Sequence, residues 1–240
     1  MLAIITGTIK PNCELKQLCL RDEEERLVQY IECIRFYIKS KAFSDIIFCE
    51  NSGYGIDIFQ SLITEAKRNK IRLEVMSFRG EQQKVIEQGK GYGEGEIMEY
   101  VFRNSSLIKD NDYFVKITGR LKIVNIKKIV KSLKDSRCYF NIPNKVLKTF
   151  YDTRFYGMSK QKFEQYFKMA YLEVMDEQGI YLEHIYTNVI KKHDLKVMNF
   201  PMYPRIIGVS GTSGAVYDYV EWKCIIKDML SKFNYYKVRN

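Results

Sequence analysis

Long apolar runs, paired cysteines, proline and histidine are all scarce in this 240-residue sequence, and each scarcity excludes something. No apolar run approaches the ~18–20 residues that a bilayer-spanning helix needs. The opening MLAIITGTIKPN reaches Pro11 with neither a basic n-region nor a small-residue cleavage site, so neither export nor membrane insertion is expected and the cytoplasm is the expected compartment. The six cysteines, Cys13, Cys19, Cys33, Cys49, Cys138 and Cys224, form no CxxC pair, and several lie inside apolar patterns such as DIIFCE. Reduced, packing cysteines are the expectation. With 4 prolines and 14 glycines, the composition is that of neither a disordered nor a fibrous chain. No RNP, zinc-finger or helix-turn-helix pattern is visible.

What the chain does have is a 46% hydrophobic content, sufficient for a sizeable core, and one domain is the natural reading of this length. Its formal charge of +10 calls for a polyanionic partner: nucleic acid, an anionic membrane surface or a phosphorylated substrate. The lysines are spread along the chain rather than gathered into one basic arm, so nucleic acid is not the expected partner.

Apolar periodicity predicts strands over Leu2–Thr6, Ser44–Cys49, Arg72–Phe78, Tyr113–Thr118, Cys138–Ile142 and Thr153–Met158. Helical spacing is predicted over Glu23–Ser40, Ile56–Asn69, Ile126–Leu133, Lys160–Gln178, Tyr181–Lys192 and Tyr217–Phe233. GKGYGEG (89–95) reads as a glycine loop opening a further helix that runs to about Ser105. Three strands alternating with two helices within 80 residues predict an α/β fold with a mostly parallel, Rossmann-like central sheet flanked by helices. Ligands of such sheets gather at the carboxyl ends of the strands.

Several residues could carry chemistry. In GKGYGEG, Gly91 and Gly93 expose backbone N–H groups beside Lys90 and Glu94, a composition that could cradle phosphate. The spacing is wrong for a dinucleotide fingerprint. At the end of KITGR, Lys116 and Thr118 alternate onto one face, with Gly119 and Arg120 closing the strand, and a guanidinium suits phosphate. Asp152 and Arg154 flank Thr153, a pair able to hold a sugar hydroxyl, a metal or a phosphate. Glu183, beside His184 at a helix start, could serve as a general base. Ser210, Gly211 and Ser213 of SGTSG have the composition of an anion-binding loop without P-loop spacing. Each of these also has a plainer reading as a turn, a surface ion pair or a structural histidine. The last helix mixes Trp222, Phe233, Tyr235 and Tyr236 with lysines, which suits either an interfacial helix or a core-packed one with a basic outer face.

The order LAIITGTIKPN, RLVQYIECIRFYI, FCENSGYGID, GKGYGEGEIMEY, FVKITGR, DTRFYGMSK, YLEHIY and GVSGTSG resembles the small GT-A-like glycosyltransferases of bacterial capsule, O-antigen and lipooligosaccharide assembly, over nearly the whole chain. That resemblance implies a nucleotide-sugar donor bound by Thr6, Gly7, Thr8 and the turn of Glu50, Asn51 and Ser52, with GKGYGEG and KITGR lining the donor. Residues 1–120 would then form a donor half, 121–214 an acceptor and catalytic half, and 215–240 a basic amphipathic helix able to rest on the inner face of the cell membrane. The acceptor would be a glycan or lipid-linked glycan, with Glu183 as base and Asp152 as second choice. Such enzymes carry Asp-x-Asp where this chain has Thr118, Gly119 and Arg120. Metal-independence is therefore favoured, Lys116, Arg120 or Arg154 supplying the positive charge, while Asp152 leaves a place for Mg2+ or Mn2+. The competing expectations are a basic nucleic-acid-binding module and another nucleotide-dependent transferase, such as a methyltransferase or nucleotidyltransferase.

Overall fold

In the first strands odd and even side chains face opposite ways and both sets are apolar, so the sheet they form must be covered on two sides. The computed structural model, which describes residues 1–12, 18–141, 150–211 and 214–232, has this architecture. In chain order the elements are β1 (Leu2–Gly7), α1 (Glu23–Ser40), β2 (Asp45–Glu50), α2 (Gln60–Arg68), β3 (Arg72–Ser77), α3 (Gln82–Gln88), α4 (Lys90–Asn104), β4 (Tyr113–Thr118), β5 (Lys122–Ile123), α5 (Ile126–Ser132), β6 (Cys138–Asn141), β7 (Asp152–Ser159), α6 (Lys160–Lys162), α7 (Leu182–Lys192), β8 (Val197–Met198), β9 (Ile206–Val209), β10 (Val216–Tyr217) and α8 (Glu221–Lys232).

Seven strands form the main sheet in the order β3-β2-β1-β4-β7-β6-β8. β3, β2, β1 and β4 are parallel neighbours, β7 runs against both β4 and β6, and β8 is parallel to β6. The mixed α/β fold with a mostly parallel sheet is thus as expected, with β7 as its reversed strand. Ala3, Ile5, Ile46, Phe48, Val115 and Ile117 pack under α1, α2 and α5 on one face. Leu2, Ile4, Ile47, Cys49 and Phe114 pack under α4 and α7 on the other. A second, antiparallel sheet of β10, β9 and β5 continues from the end of β4. No helix among the described residues is long and apolar enough to cross a membrane.

Helix α1 shows how local signals set an element. Asp22 caps it by accepting from Glu25 N at 2.7 Å, three glutamates occupy the first turn, and Lys41 ends it in the left-handed conformation. The buried cysteines are thiols, and burial pushes Cys33 and Cys138 up to about 12.

Three expectations are corrected. GKGYGEG is not a loop: the chain turns at Gly89 and is helical from Lys90 onward. Its glycines serve close packing, since a Cβ at Gly95 would lie 2.0 Å from Tyr171 Cβ. We expect Gly95→Ala to lower the urea midpoint by an amount worth about 1–3 kcal/mol, the cost of overpacking a filled interface. An unchanged midpoint would mean that Tyr171 moves aside freely. The predicted helix Lys160–Gln178 is broken into α6, a π-helical turn Phe163–Phe167 and 3-10 turns Ala170–Glu173 and Asp176–Gln178. The break occurs where Met175 bridges Ile180 and Asp176 is drawn toward the start of α4. In α8, Cys224 is the buried residue, while Glu221 and Asp228 pair with Arg205. Trp222, Ile225, Ile226 and Met229, at helical spacing, face solvent, with Trp222 61% exposed. The core-packed reading fails at Trp222, Ile226 and Met229 and holds at the half-buried Leu230, while Phe233, Tyr235 and Tyr236 lie outside the described residues.

Candidate functional site

β1 and β4 lie side by side, yet the chain leaves β1 toward β2 on one side and returns to β4 on the other. At such a switch point the loops diverge and leave a crevice beyond the strand ends. Here Gly119 N donates to Thr6 O at 2.8 Å, and a Cβ at Gly119 would meet that oxygen at 2.4 Å and the Tyr30 ring at 2.5 Å. Only glycine lets the two strand ends and α1 come this close.

The crevice is a cavity of about 550 Å³, a size suited to a small-molecule ligand. It gathers Thr6, Gly7 and Thr8 from β1, Asn51 after β2, Lys90, Gly91, Gly93 and Glu94 from α4, and Thr118, Gly119 and Arg120 from β4. Asp152 and Arg154 enter from β7, Glu183 from α7, and Ser210 and Gly211 from the turn after β9. Reversal of β7 is what brings Asp152 and Arg154 here: the start of an antiparallel strand lies at the same sheet edge as the ends of its parallel neighbours.

Four expected residues are elsewhere. Glu50 is buried, and its carboxylate accepts from Ser52 N at 2.8 Å, Tyr54 N at 2.7 Å and the hydroxyls of Ser52 and Ser77, clamping the turn after β2. Ser52 is held in that clamp. Lys116 is fully buried under α4, where Nζ donates to Glu94, to Thr118 Oγ1 at 2.8 Å and to Thr153 O at 3.0 Å. His184 Nδ1 lies 3.0 Å from Gly179 O and 3.4 Å from Tyr181 N at the start of α7, with its ring packed on Phe150 and Tyr181. None of the four lines the cavity. Ser213 lies outside the described residues.

The sequence reading missed Arg26, Tyr30, Thr153, Asp176 and Tyr217, all on the wall. Arg26 donates through Nε to Thr8 O at 2.9 Å and through Nη1 to Leu20 O at 3.0 Å, while Tyr30 OH accepts from Thr8 N at 2.9 Å. Together they fix the loop after β1. The signal was available: Arg26 stands one turn before Tyr30 on the buried face of α1, where a cation needs a partner.

Burial raises the Glu183 carboxyl above the usual carboxylate range, against the opposing hydrogen bond from Thr153 Oγ1 at 2.8 Å. Burial likewise raises Asp176, which accepts from Lys90 N at 2.9 Å and so occupies the amino end of α4 that a phosphate was expected to use. Burial lowers Lys90. It opposes the charge on Arg154 too, but the two-pronged pair with Asp152, at 2.9 and 2.7 Å, outweighs it and raises the guanidinium. Arg120 adopts the left-handed conformation with φ of 68°, donates through Nη1 to Gln29 Oε1 at 3.1 Å, and has a buried Nε with no partner among the described residues.

Asp152 has both oxygens on Arg154, and no group of three or more His, Cys, Asp or Glu side chains among the described residues is arranged around a common point.

No protein-family model matches this sequence, and no curated protein matches it. Solved structures resemble the fold at low identity. A nucleoside-diphosphate-sugar pyrophosphorylase from Vibrio cholerae RC9 is 11% identical, covering 83% of this chain and 91% of its own at a TM-score of 0.47. A Bacillus anthracis protein described as a glucose-1-phosphate thymidylyltransferase, solved with sucrose, is 14% identical, covering 96% and 94%, also at 0.47. HddC from Yersinia pseudotuberculosis is 15% identical, covering 69% and 79%, at 0.34. The first two are named for nucleotide-sugar synthesis rather than for glycosyl transfer.

Proposed function

We propose that this chain is a transferase acting on a nucleotide sugar, and that its reaction is glycosyl transfer to a hydroxyl of a glycan or lipid-linked glycan. One observation carries the reading: a single cavity at the carboxyl ends of β1 and β4 holds both Glu183, a half-buried carboxylate with a raised pKa, and Arg120, a buried guanidinium whose Nε has no partner among the described residues. The acceptor hydroxyl gives its proton to Glu183 as its oxygen bonds to the sugar's anomeric carbon. The bond from that carbon to the diphosphate breaks, and the nucleoside diphosphate leaves with the electron pair. Arg120 stabilises the charge that develops on it, in the place where an Asp-x-Asp motif would otherwise hold a metal. Metal-independent transfer belongs to this proposal, as does attachment at a membrane.

Nucleotidyl transfer, the reaction for which the Vibrio and Bacillus proteins are named, is the second reading. It attacks a phosphorus rather than a sugar carbon, and it releases pyrophosphate rather than a nucleoside diphosphate. Its nucleophile is a phosphate oxygen that is already ionised and needs no general base, so the raised carboxyl of Glu183 favours glycosyl transfer.

The test is a thermal-shift screen against UDP-, GDP-, CMP- and dTDP-sugars, each with and without Mn2+. One nucleotide sugar is expected to raise the midpoint without Mn2+, by an amount worth about 2.7 kcal/mol at a hundredfold excess over its Kd. Arg120→Gly suits the local backbone, so its expected loss of about a hundredfold in turnover would reflect the missing charge. Pyrophosphate as product would establish the second reading. A shift with an oligonucleotide alone would send the chain to the class of nucleic-acid-binding modules.

A further inference from the structure

Arg154 borders two cavities. Beyond it lies a second one of about 290 Å³, sharing Arg154 and Tyr217 with the first. Its wall carries Tyr203, Tyr217 and Tyr219 and, from α8, Lys223 and Lys227. The Arg154 guanidinium stands 4.9 Å from the Tyr217 ring centre, and Lys227 Nζ stands 3.8 Å from that of Tyr203. The carboxylate on this wall, Asp218, accepts from Tyr219 N at 2.7 Å. Glu221 and Asp228 of α8 are drawn instead to Arg205, at 2.8 and 3.1 Å. Asp228 also accepts from Tyr203 N at 2.6 Å, and Arg154 is neutralised by Asp152, so the groove's charge toward a ligand comes from Lys223 and Lys227, neither of which pairs with a carboxylate among the described residues.

We propose that this second cavity is the acceptor subsite and that it takes an anionic saccharide, one bearing a carboxylate or a phosphate. A pyranose has an apolar C–H face and a hydroxyl edge, which match a tyrosine's flat ring and polar tip. An anionic substituent on it is recognised by Lys223 and Lys227, whose single sign also excludes cationic sugars. Arg154 and Tyr217 stand between the groove and the cavity of Glu183, so a saccharide seated in the groove is one residue layer from the donor. The word acceptor rests on the glycosyl-transfer reading above; the binding of an anionic saccharide does not.

Calorimetric titration of the full chain with cellobiouronic acid, cellobiose, trehalose 6-phosphate and trehalose tests this. At least one anionic sugar is expected to bind tenfold or more tightly than its neutral counterpart, and which one does tells carboxylate from phosphate. The double variant Lys223→Ala/Lys227→Ala is expected to lose that tenfold while its thermal shift with a nucleotide sugar stays that of the parent chain. Equal binding of neutral and anionic sugars, or undiminished binding by the double variant, overturns the proposal. So does nucleotide-sugar binding with no saccharide bound, which leaves the transferase reading standing. Saccharide binding without any nucleotide-sugar response supports the groove and overturns the transferase reading. Pelleting with phosphatidylglycerol vesicles in the absence of saccharide binding overturns it in favour of a membrane role for the same lysines.

Discussion

Replacing Glu183 by Gln is expected to reduce transfer about 10²–10⁴-fold, the usual worth of a positioned general base, while leaving nucleotide-sugar binding intact. Glutamine keeps an oxygen to accept from Thr153 Oγ1, so the wall of the cavity should retain its shape. In the parent chain the base must be ionised, so activity should rise with pH through an apparent pKa above the ~4.3 of an ordinary glutamate, in keeping with the raised carboxyl. Stability should move the other way. A carboxyl whose folded pKa is raised contributes stability that is fully present below the unfolded pKa and is lost as pH rises through the folded value. Glu183→Gln imitates the protonated form and escapes that loss. Its stability should match the parent at acid pH and exceed it once Glu183 is ionised. Urea unfolding at several pH values, beside a rate profile, measures both. A variant that is fully active, or one whose stability difference does not grow with pH, would remove Glu183 from the role of base.

Lys116→Met is expected to cost about 3 kcal/mol of stability, the scale for breaking a buried ion pair from one side. The fully buried Nζ meets three acceptors: Glu94, Thr118 Oγ1 and Thr153 O. Methionine fills similar space but satisfies none of them, and the Glu94 carboxylate, itself only partly exposed, is left beside an apolar wall. Adding Glu94→Gln should recover part of the loss, and the non-additive portion of the double-mutant cycle measures the coupling. A single-variant loss under about 1 kcal/mol would show that Glu94 turns freely to water. The result also bears on the site, because Glu94 and Thr153 stand on the cavity wall while Lys116 behind them does not. Lys116 acts there as a strut, in place of the phosphate ligand expected from the sequence.

The legible parts of this molecule were those set by local pattern. α1 lies where its spacing and acidic start place it, and the first four parallel strands agree with their apolar runs to within a residue or two. The cavity was legible for a related reason, since strand ends such as Thr6–Thr8 and Thr118–Arg120 converge wherever a parallel sheet changes direction. What could not be read depends on contacts between distant residues. GKGYGEG looks like a loop because glycine weakens helices, and only Tyr171 packed against Gly95 explains a helix there. A lysine in an apolar strand suits phosphate as well as it suits Glu94, and the choice is made by α4 crossing that face. The reversal of β7 and the role of Asp176 at the start of α4 likewise have no local signature.

The outward stripe on α8 has an optical consequence. Trp222 is the chain's single tryptophan, and it projects into solvent beside Lys223. Intrinsic tryptophan emission from the native protein should therefore already be red-shifted, and unfolding of the sheet should barely move it. Far-ultraviolet circular dichroism is the probe for the denaturation experiments above. Tryptophan emission becomes a local reporter instead: a blue shift on adding a saccharide, a vesicle or a second macromolecule would mean that the stripe itself had been covered.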